Sequence, residues 1–365
     1  MHPTVRSRAA APPRAARASA LVLLVACLFA WAASQPPSAR AGGRTWYVRA
    51  DADPDGTGDR EAPFRTIAEG LEAARPGDLV DVGPGTYRGE LDPVRAGEPG
   101  ARIRLVGHDA VIRGDGDGRL FEIERDYLTV RGFEITHADV LVRLQGASHV
   151  RIVGNRIHDA GSECIRIAYL STDNLVARNR IHGCGKTDFD LPGGRKNGEG
   201  VYIGTAPEQL DENPTSVADR SDRNHVVANR IVSPAECVDV KEDAQRTLIV
   251  ANVCRRVRDP DSGGISTRGI GTRIRGNLVE GGAGAGIRLG GDASDDGIRS
   301  TVTSNVLRDN EGYAVKIMRT PQRRICGNVL VRNAQGDTND DRFHPASACR
   351  DAAHAGTRPP GPGRP

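Results

Sequence analysis

The sequence predicts an all-β chain folded as one right-handed parallel β-helix, with a short capping helix at its N-terminal end. Three observations carry this. Asn155, Asn179, Asn229, Asn252, Asn277, Asn305 and Asn328 each follow one apolar strand-like stretch and precede another, at separations of 24, 50, 23, 25, 28 and 23 residues. A set of short segments alternates β-branched and polar positions: Glu163-Cys164-Ile165-Arg166-Ile167, Glu199-Gly200-Val201-Tyr202-Ile203 and Glu236-Cys237-Val238-Asp239-Val240-Lys241, echoed at Gly264–Arg268, Gly286–Leu289 and Ala314–Ile317. Near the start, Pro63 to Arg75 places Ile67, Leu71 and Ala74 at helical spacing before the stop Pro76-Gly77.

The period decides the architecture. A repeat near 24 residues with three short strands in it is one coil of a solenoid, and the doubled interval is one coil with long insertions. Stacked asparagines bonded along a turn column form an internal ladder in such a coil. Before the repeat come strands at Thr45-Trp46-Tyr47-Val48, Leu79-Val80-Asp81-Val82 and Gly85-Thr86-Tyr87. The β-helix is expected over residues 42–345, and the stretch 346–365, rich in Pro, Gly and Ala, as a disordered tail.

Residues 1–41 have the pattern of a secretory signal: Arg6, Arg8, Arg14 and Arg17 precede an apolar run from Leu21 to Ala33, and Ala39-Arg40-Ala41 supplies small residues for cleavage. The run is too short to span a membrane. Leu24-Val25-Ala26-Cys27 has the form of a lipid-attachment box, but the apolar run continues past Cys27, so export without an anchor is the expectation. Removing the leader takes away five arginines and no acids and turns the net charge of +3 into −2. A slightly acidic body has no global field for nucleic acid, so an anionic ligand has to be met by local Lys and Arg. Stable membrane insertion is not expected, and the chain is expected to act as a monomer. Six cysteines follow the leader, and the even count suggests disulfides in an exported chain. Cys164 and Cys237 share a column two coils apart, too far to bridge. Cys326 with Cys349 is the pairing that would pin the C-terminal end.

Placing the coils in register gives the polar column Arg143, Arg166, Tyr202, Asp239, Ser266, Arg288, Lys316. At the turn entering each strand, Glu163, Glu199 and Glu236 stack on consecutive coils. Neighbouring coils lie about 4.8 Å apart, so these side chains touch Asp239, Lys241 and Arg268. Stacked carboxylates need compensation, either from Lys241, Arg166 and Arg288 or from Ca²⁺ on hard oxygen ligands. Long insertions, Gly185–Asn197 and Ala206–Asp222, flank the Glu199 strand and are expected to rise as walls around a cleft.

The entry run Trp46-Tyr47-Val48, Pro63-Phe64-Arg65-Thr66-Ile67 and Pro84-Gly85-Thr86-Tyr87, with the coils that follow, resembles the pectate-lyase-like superfamily over roughly residues 45–335. Within it, Asn197-Gly198-Glu199-Gly200-Val201-Tyr202-Ile203-Gly204-Thr205, then Glu236 five residues before Lys241, Arg268-Gly269 one coil on and Gly286-Ile287-Arg288 after that resemble the chondroitinase B and alginate lyase family, polysaccharide lyase family six. The resemblance implies β-elimination on an acidic, uronic-acid polysaccharide. Lys241 is then the base, Arg268 its partner, and Ca²⁺ sits near Glu199 and Glu236. Tyr202, Asp239, Arg166 and Arg288 are the expected substrate contacts. Pro234 stands where the family has its first glutamate, Glu242 where it has serine and Gly269 where it often has histidine; Glu199 or Glu163 would replace the missing ligand. Two other readings remain open: a glycoside hydrolase working through Asp239 with Glu199 or Asp188, and a non-catalytic surface or carbohydrate-binding β-helix.

Overall fold

The structure, a computed structural model, describes residues 42–349. The expected signal, Cys27 and the stretch 350–365 lie outside the described residues.

Each full coil contributes three short strands. One set stacks into an eight-stranded parallel sheet: Arg119–Ile123, Val140–Gln145, Ile165–Ala168, Val201–Ile203, Val238–Val240, Gly263–Thr267, Ala285–Leu289 and Val315–Ile317. The other two sets join a 19-stranded sheet. Parallel strands joined in this way cross over right-handedly, because the strand twist packs the connection back only in that sense. Ile165, Ile167, Val201, Ile203, Val238, Val240, Ile265, Ile287 and Leu289 point inward and are fully buried. β-Branched residues dominate because a pleated strand holds their stiff side chains without further loss of freedom.

The polar column forms in the expected register. Arg143 pairs with Arg166, Arg166 with Tyr202, Tyr202 with Asp239, Asp239 with Ser266, Ser266 with Arg288 and Arg288 with Lys316. The asparagine ladder is continuous as well. The backbone N–H of Asn155, Asn179, Asn229, Asn252, Asn277 and Asn305 each donates to the side-chain oxygen of the next, at 2.9 to 3.0 Å. Asn179 bonds directly to Asn229, so the 50-residue interval is a single coil. A second ladder, not anticipated, runs along another turn, where Val150 donates to Asn174 and Asn174 to Asn224. These ladders satisfy backbone groups that the turns would otherwise bury unpaired. Asn252 is 1% exposed, accepts from the backbone and amide of Asn229, and donates to Val226 and Asn277. Asn252→Ala leaves several of these groups unsatisfied and is expected to lower stability by about 3 kcal/mol, read from the denaturant midpoint.

The N-terminal helix spans Ile67–Ala73, shorter than the expected 63–75. Thr66 starts it through a capping box with Glu69, while Phe64 is held in a bridge to Val48. Its buried face, Ile67, Gly70 and Leu71, lies on the first strands. A Cβ on Gly70 would come within 2.7 Å of Val80 and 3.0 Å of Val48, so glycine lets the helix approach.

All six cysteines beyond the leader are paired: Cys164–Cys184, Cys237–Cys254 and the expected Cys326–Cys349. Residues 346–349, placed in the tail by sequence, are held here: Cys349 by its disulfide, and Ser347 by accepting from the N–H of Gly327 at 2.6 Å. Among the described residues no helix is long and apolar enough to cross a membrane.

Candidate active site

The site grows from the turns that enter three consecutive strands of the eight-stranded sheet. Cys164 N–H donates to the Glu199 carbonyl, Gly200 N–H to that of Glu236, and Cys237 N–H to that of Gly264, so the glutamate turns are tied coil to coil. Two disulfides anchor the same turns, through Cys164 next to Glu163 and Cys237 next to Glu236. Strict alternation would send Glu236 the way of the buried Val238. The chain instead bends before the strand and brings Glu236 to the polar column. On the neighbouring coil the bend uses glycine: Gly198 has φ +149, and a Cβ on Gly200 would lie 2.4 Å from Ile231 and 2.8 Å from the Cys237 carbonyl.

Glu199, Glu236 and Asp239 converge, with one carboxylate oxygen from each within 4.8 Å of the others. All three are almost fully buried, at 4, 6 and 1% exposure. Lys241 Nζ lies 2.6 Å from Asp239 Oδ2, and Arg268 approaches both oxygens of the same carboxylate at 3.2 and 3.3 Å. These two cations reach towards the surface while the carboxylates lie beneath. Lys241 also stands over the Tyr202 ring, 4.5 Å from its centre, with Arg166 at 5.1 Å.

Charges here are unevenly compensated. Burial, then repulsion from Glu236 and Glu163, pushes the Glu199 carboxyl up to about 8. Burial, then Asp239, pushes Glu236 up to about 7. Burial opposes the Asp239 charge too, yet Lys241 and Arg268 hold it below the ordinary value. For Lys241 burial disfavours the charge, but Asp239 beside it holds the ammonium well above the usual lysine range. A base at this position needs the opposite shift, so in this arrangement Lys241 is poised as a cation.

Other expected contacts are differently employed. Glu163, expected among the cation ligands, is outside the converging group: it accepts from the Ser162 hydroxyl at 2.9 Å and pairs with Arg166 at 3.5 Å. Arg166 is itself buried and bonded to Glu212 at 3.1 Å. Tyr202 is 3% exposed and donates to Gln209 at 2.8 Å. Asp239 is an internal anchor for two cations rather than an open substrate contact. Arg288 occupies its expected place, with Nε buried and without a hydrogen-bond partner.

The insertions explain the burial. Residues 206–222 do not stand aside as a wall; their 3₁₀ turn, Pro207–Glu212, brings Gln209 onto Tyr202 and Glu212 onto Arg166. The earlier insertion forms a small hairpin, Phe189–Asp190 with Arg195–Lys196, and Lys196 bonds Asp259 and Asp261. Asp188, offered as a hydrolase acid, accepts from Asn197 at 2.6 Å. Glu242 adds a group that sequence reading noted only as a departure, pairing with Arg268 Nε at 3.3 Å. Gln209 and Glu212 carry no sequence signal, because their partners lie across a loop.

Once ionised, three converging carboxylates suit a hard cation, whose charge would offset the repulsion that raises Glu199 and Glu236. Ca²⁺ takes oxygens at about 2.3–2.6 Å, so two ligands across an ion lie about 4.8 Å apart. Carboxylate oxygens of Glu199, Glu236 and Asp239, one from each, all lie within that span of one another.

Stacked parallel coils with a charged column on one sheet make this chain a parallel β-helix. It belongs to the DUF1565 family, described as proteins of unknown function, which it matches over residues 51–245. No curated protein matches the sequence. Among solved structures it is similar to an alginate lyase from Paenibacillus sp. str. FPU-7, with 22% identity, TM-score 0.62 and coverage of 81% of this chain and 99% of that one. Pectate lyase Pel9A is similar at 16% identity and TM-score 0.61, covering 84% and 82%. PfbA, a surface adhesin of Streptococcus pneumoniae, matches at 12% and TM-score 0.51, covering 79% of each chain. At these identities the likeness is one of fold.

Proposed function

We propose that this protein is an exported, monomeric polysaccharide lyase that cleaves an acidic, uronic-acid polysaccharide by β-elimination. The observation that carries the reading is Lys241 and Arg268 converging on buried Asp239, above the carboxylates of Glu199 and Glu236. Three disulfides suit an oxidising compartment outside the cytoplasm.

Elimination removes the C5 proton of a uronate, forms the C4–C5 double bond and breaks the C4–O bond. Glu199, Glu236 and Asp239 would hold Ca²⁺, whose charge would offset that of the substrate carboxylate and so make the C5 proton more acidic. Lys241 takes that proton in its neutral form. Asp239 is what keeps the proton on Lys241, and Arg268 competes for the same carboxylate. Burial and the Arg268 guanidinium both favour the free amine, so Lys241 would act as the base where its pairing with Asp239 is loosened. The Arg268 guanidinium stays protonated and donates hydrogen bonds to the departing oxygen, which takes its proton from water. Arg288, one coil beyond Ser266, would face a neighbouring sugar.

Absorbance at the unsaturated-uronate wavelength, on alginate, pectate, chondroitin sulfate and dermatan sulfate with and without EDTA, tests the reading. A rise that EDTA removes is expected. New reducing ends without that absorbance would establish a hydrolase instead, and neither signal on any polymer would leave a binding β-helix.

A further inference from the structure

A second charged surface lies on the 19-stranded sheet, away from the eight-stranded sheet that carries the site. Three ladder asparagines are each followed by Arg-Ile: Asn155-Arg156-Ile157, Asn179-Arg180-Ile181 and Asn229-Arg230-Ile231. The isoleucines are buried and the arginines exposed. Strand pairing sets Arg156, Arg180 and Arg230 directly beside one another on successive coils, about 4.8 Å apart. Like charges in that relation destabilise a sheet unless they are compensated. Arg156 is neutralised by Glu134 at 3.0 Å, whereas Arg180 and Arg230 have no ion-pair partner among the described residues.

Beside them opens a groove of about 590 Å³, lined also by His182, Arg255 and Arg256. Arg255 is paired with Glu280, and no carboxylate lines the groove. His182 stacks on His158, and burial, then His158, Arg156 and Arg180, lower its affinity for a proton.

We propose that this groove is a second binding site, which holds an acidic polysaccharide chain along the solenoid axis with its anionic groups on Arg180 and Arg230. A linear polymer with a charge on successive sugars suits arginines repeated coil by coil. A nucleic-acid strand suits it poorly: the paired stripe is one arginine wide, and no Trp, Tyr or Phe lines the groove to stack a base. The site needs none of the elimination chemistry and would retain a polymer whether or not the other face cuts it.

The test is retardation of the folded protein in gels containing alginate or chondroitin sulfate, across a salt series. Arg180→Glu/Arg230→Glu is expected to weaken retention about tenfold and to flatten its salt dependence. Arg273→Glu/Arg324→Glu, an equal charge change at exposed arginines outside the groove, should leave retention near wild type. Arg180→Lys/Arg230→Lys should retain most of it. Should the reversal variant fail to fold, Arg180→Gln/Arg230→Gln carries the same expectation. Unchanged retention, equal losses in the two reversal pairs, or tighter binding of single-stranded DNA than of either polysaccharide would overturn the proposal. Loss of retention in a protein that cleaves no polymer would remove the lyase reading and leave this one standing.

Discussion

Lys241→Arg is expected to abolish polysaccharide cleavage while leaving the melting temperature close to wild type. Arginine keeps a cation on Asp239, so the buried carboxylate is not left alone, yet a guanidinium does not release its proton at any pH the protein tolerates. Removing a general base typically lowers a rate by about 10²–10⁴-fold. Lys241→Ala is expected to be equally inactive and only modestly less stable, because Arg268 remains on Asp239 at 3.2 Å. A stranded buried charge would be far more damaging, at about 3–5 kcal/mol. Product absorbance and thermal melts on the same samples separate the two effects. A Lys241→Arg protein that still forms unsaturated product would remove Lys241 from the role of base.

Calcium is expected to raise the melting temperature at neutral pH by about 5 °C when its free concentration is about a hundred times its Kd. The effect should shrink as the pH falls. Glu199 and Glu236 have folded-state values raised to about 8 and about 7 by burial and by neighbouring carboxylates. A raised carboxyl favours the folded state fully only below its unfolded value, and that contribution is lost as pH climbs through the folded value. In EDTA the protein should therefore lose stability between about pH 5 and pH 8. Calcium replaces the protons and removes most of that slope. Glu199→Gln/Glu236→Gln should melt with little dependence on either pH or calcium. Identical melts with and without calcium at pH 8, in a protein whose EDTA slope is present, would show that the carboxylates take protons only.

Much of this was legible in the chain itself. The asparagine spacing and the Gly-Ile-x-Ile pattern determined the coil, its register and the column from Arg143 to Lys316, because each repeat can bury its apolar side chains only by stacking on its neighbours. Glu199, Glu236, Asp239, Lys241 and Arg268 came together in the same way: fixed offsets in a repeat become fixed positions on a sheet. Cys326 with Cys349, expected because it pins the C-terminal end, forms as well.

What the periodicity did not contain, only the tertiary structure decided. Insertions 185–197 and 206–222 have no repeat, so their contacts were set by where the loops land; Gln209 and Glu212 close over Tyr202 and Arg166 instead of flanking them. Glu163 is outside the carboxylate group and is held instead by Ser162 and Arg166. The proton on Lys241 depends on a 2.6 Å approach to Asp239, and charge interactions that vary steeply with distance and burial are not encoded by spacing along a chain.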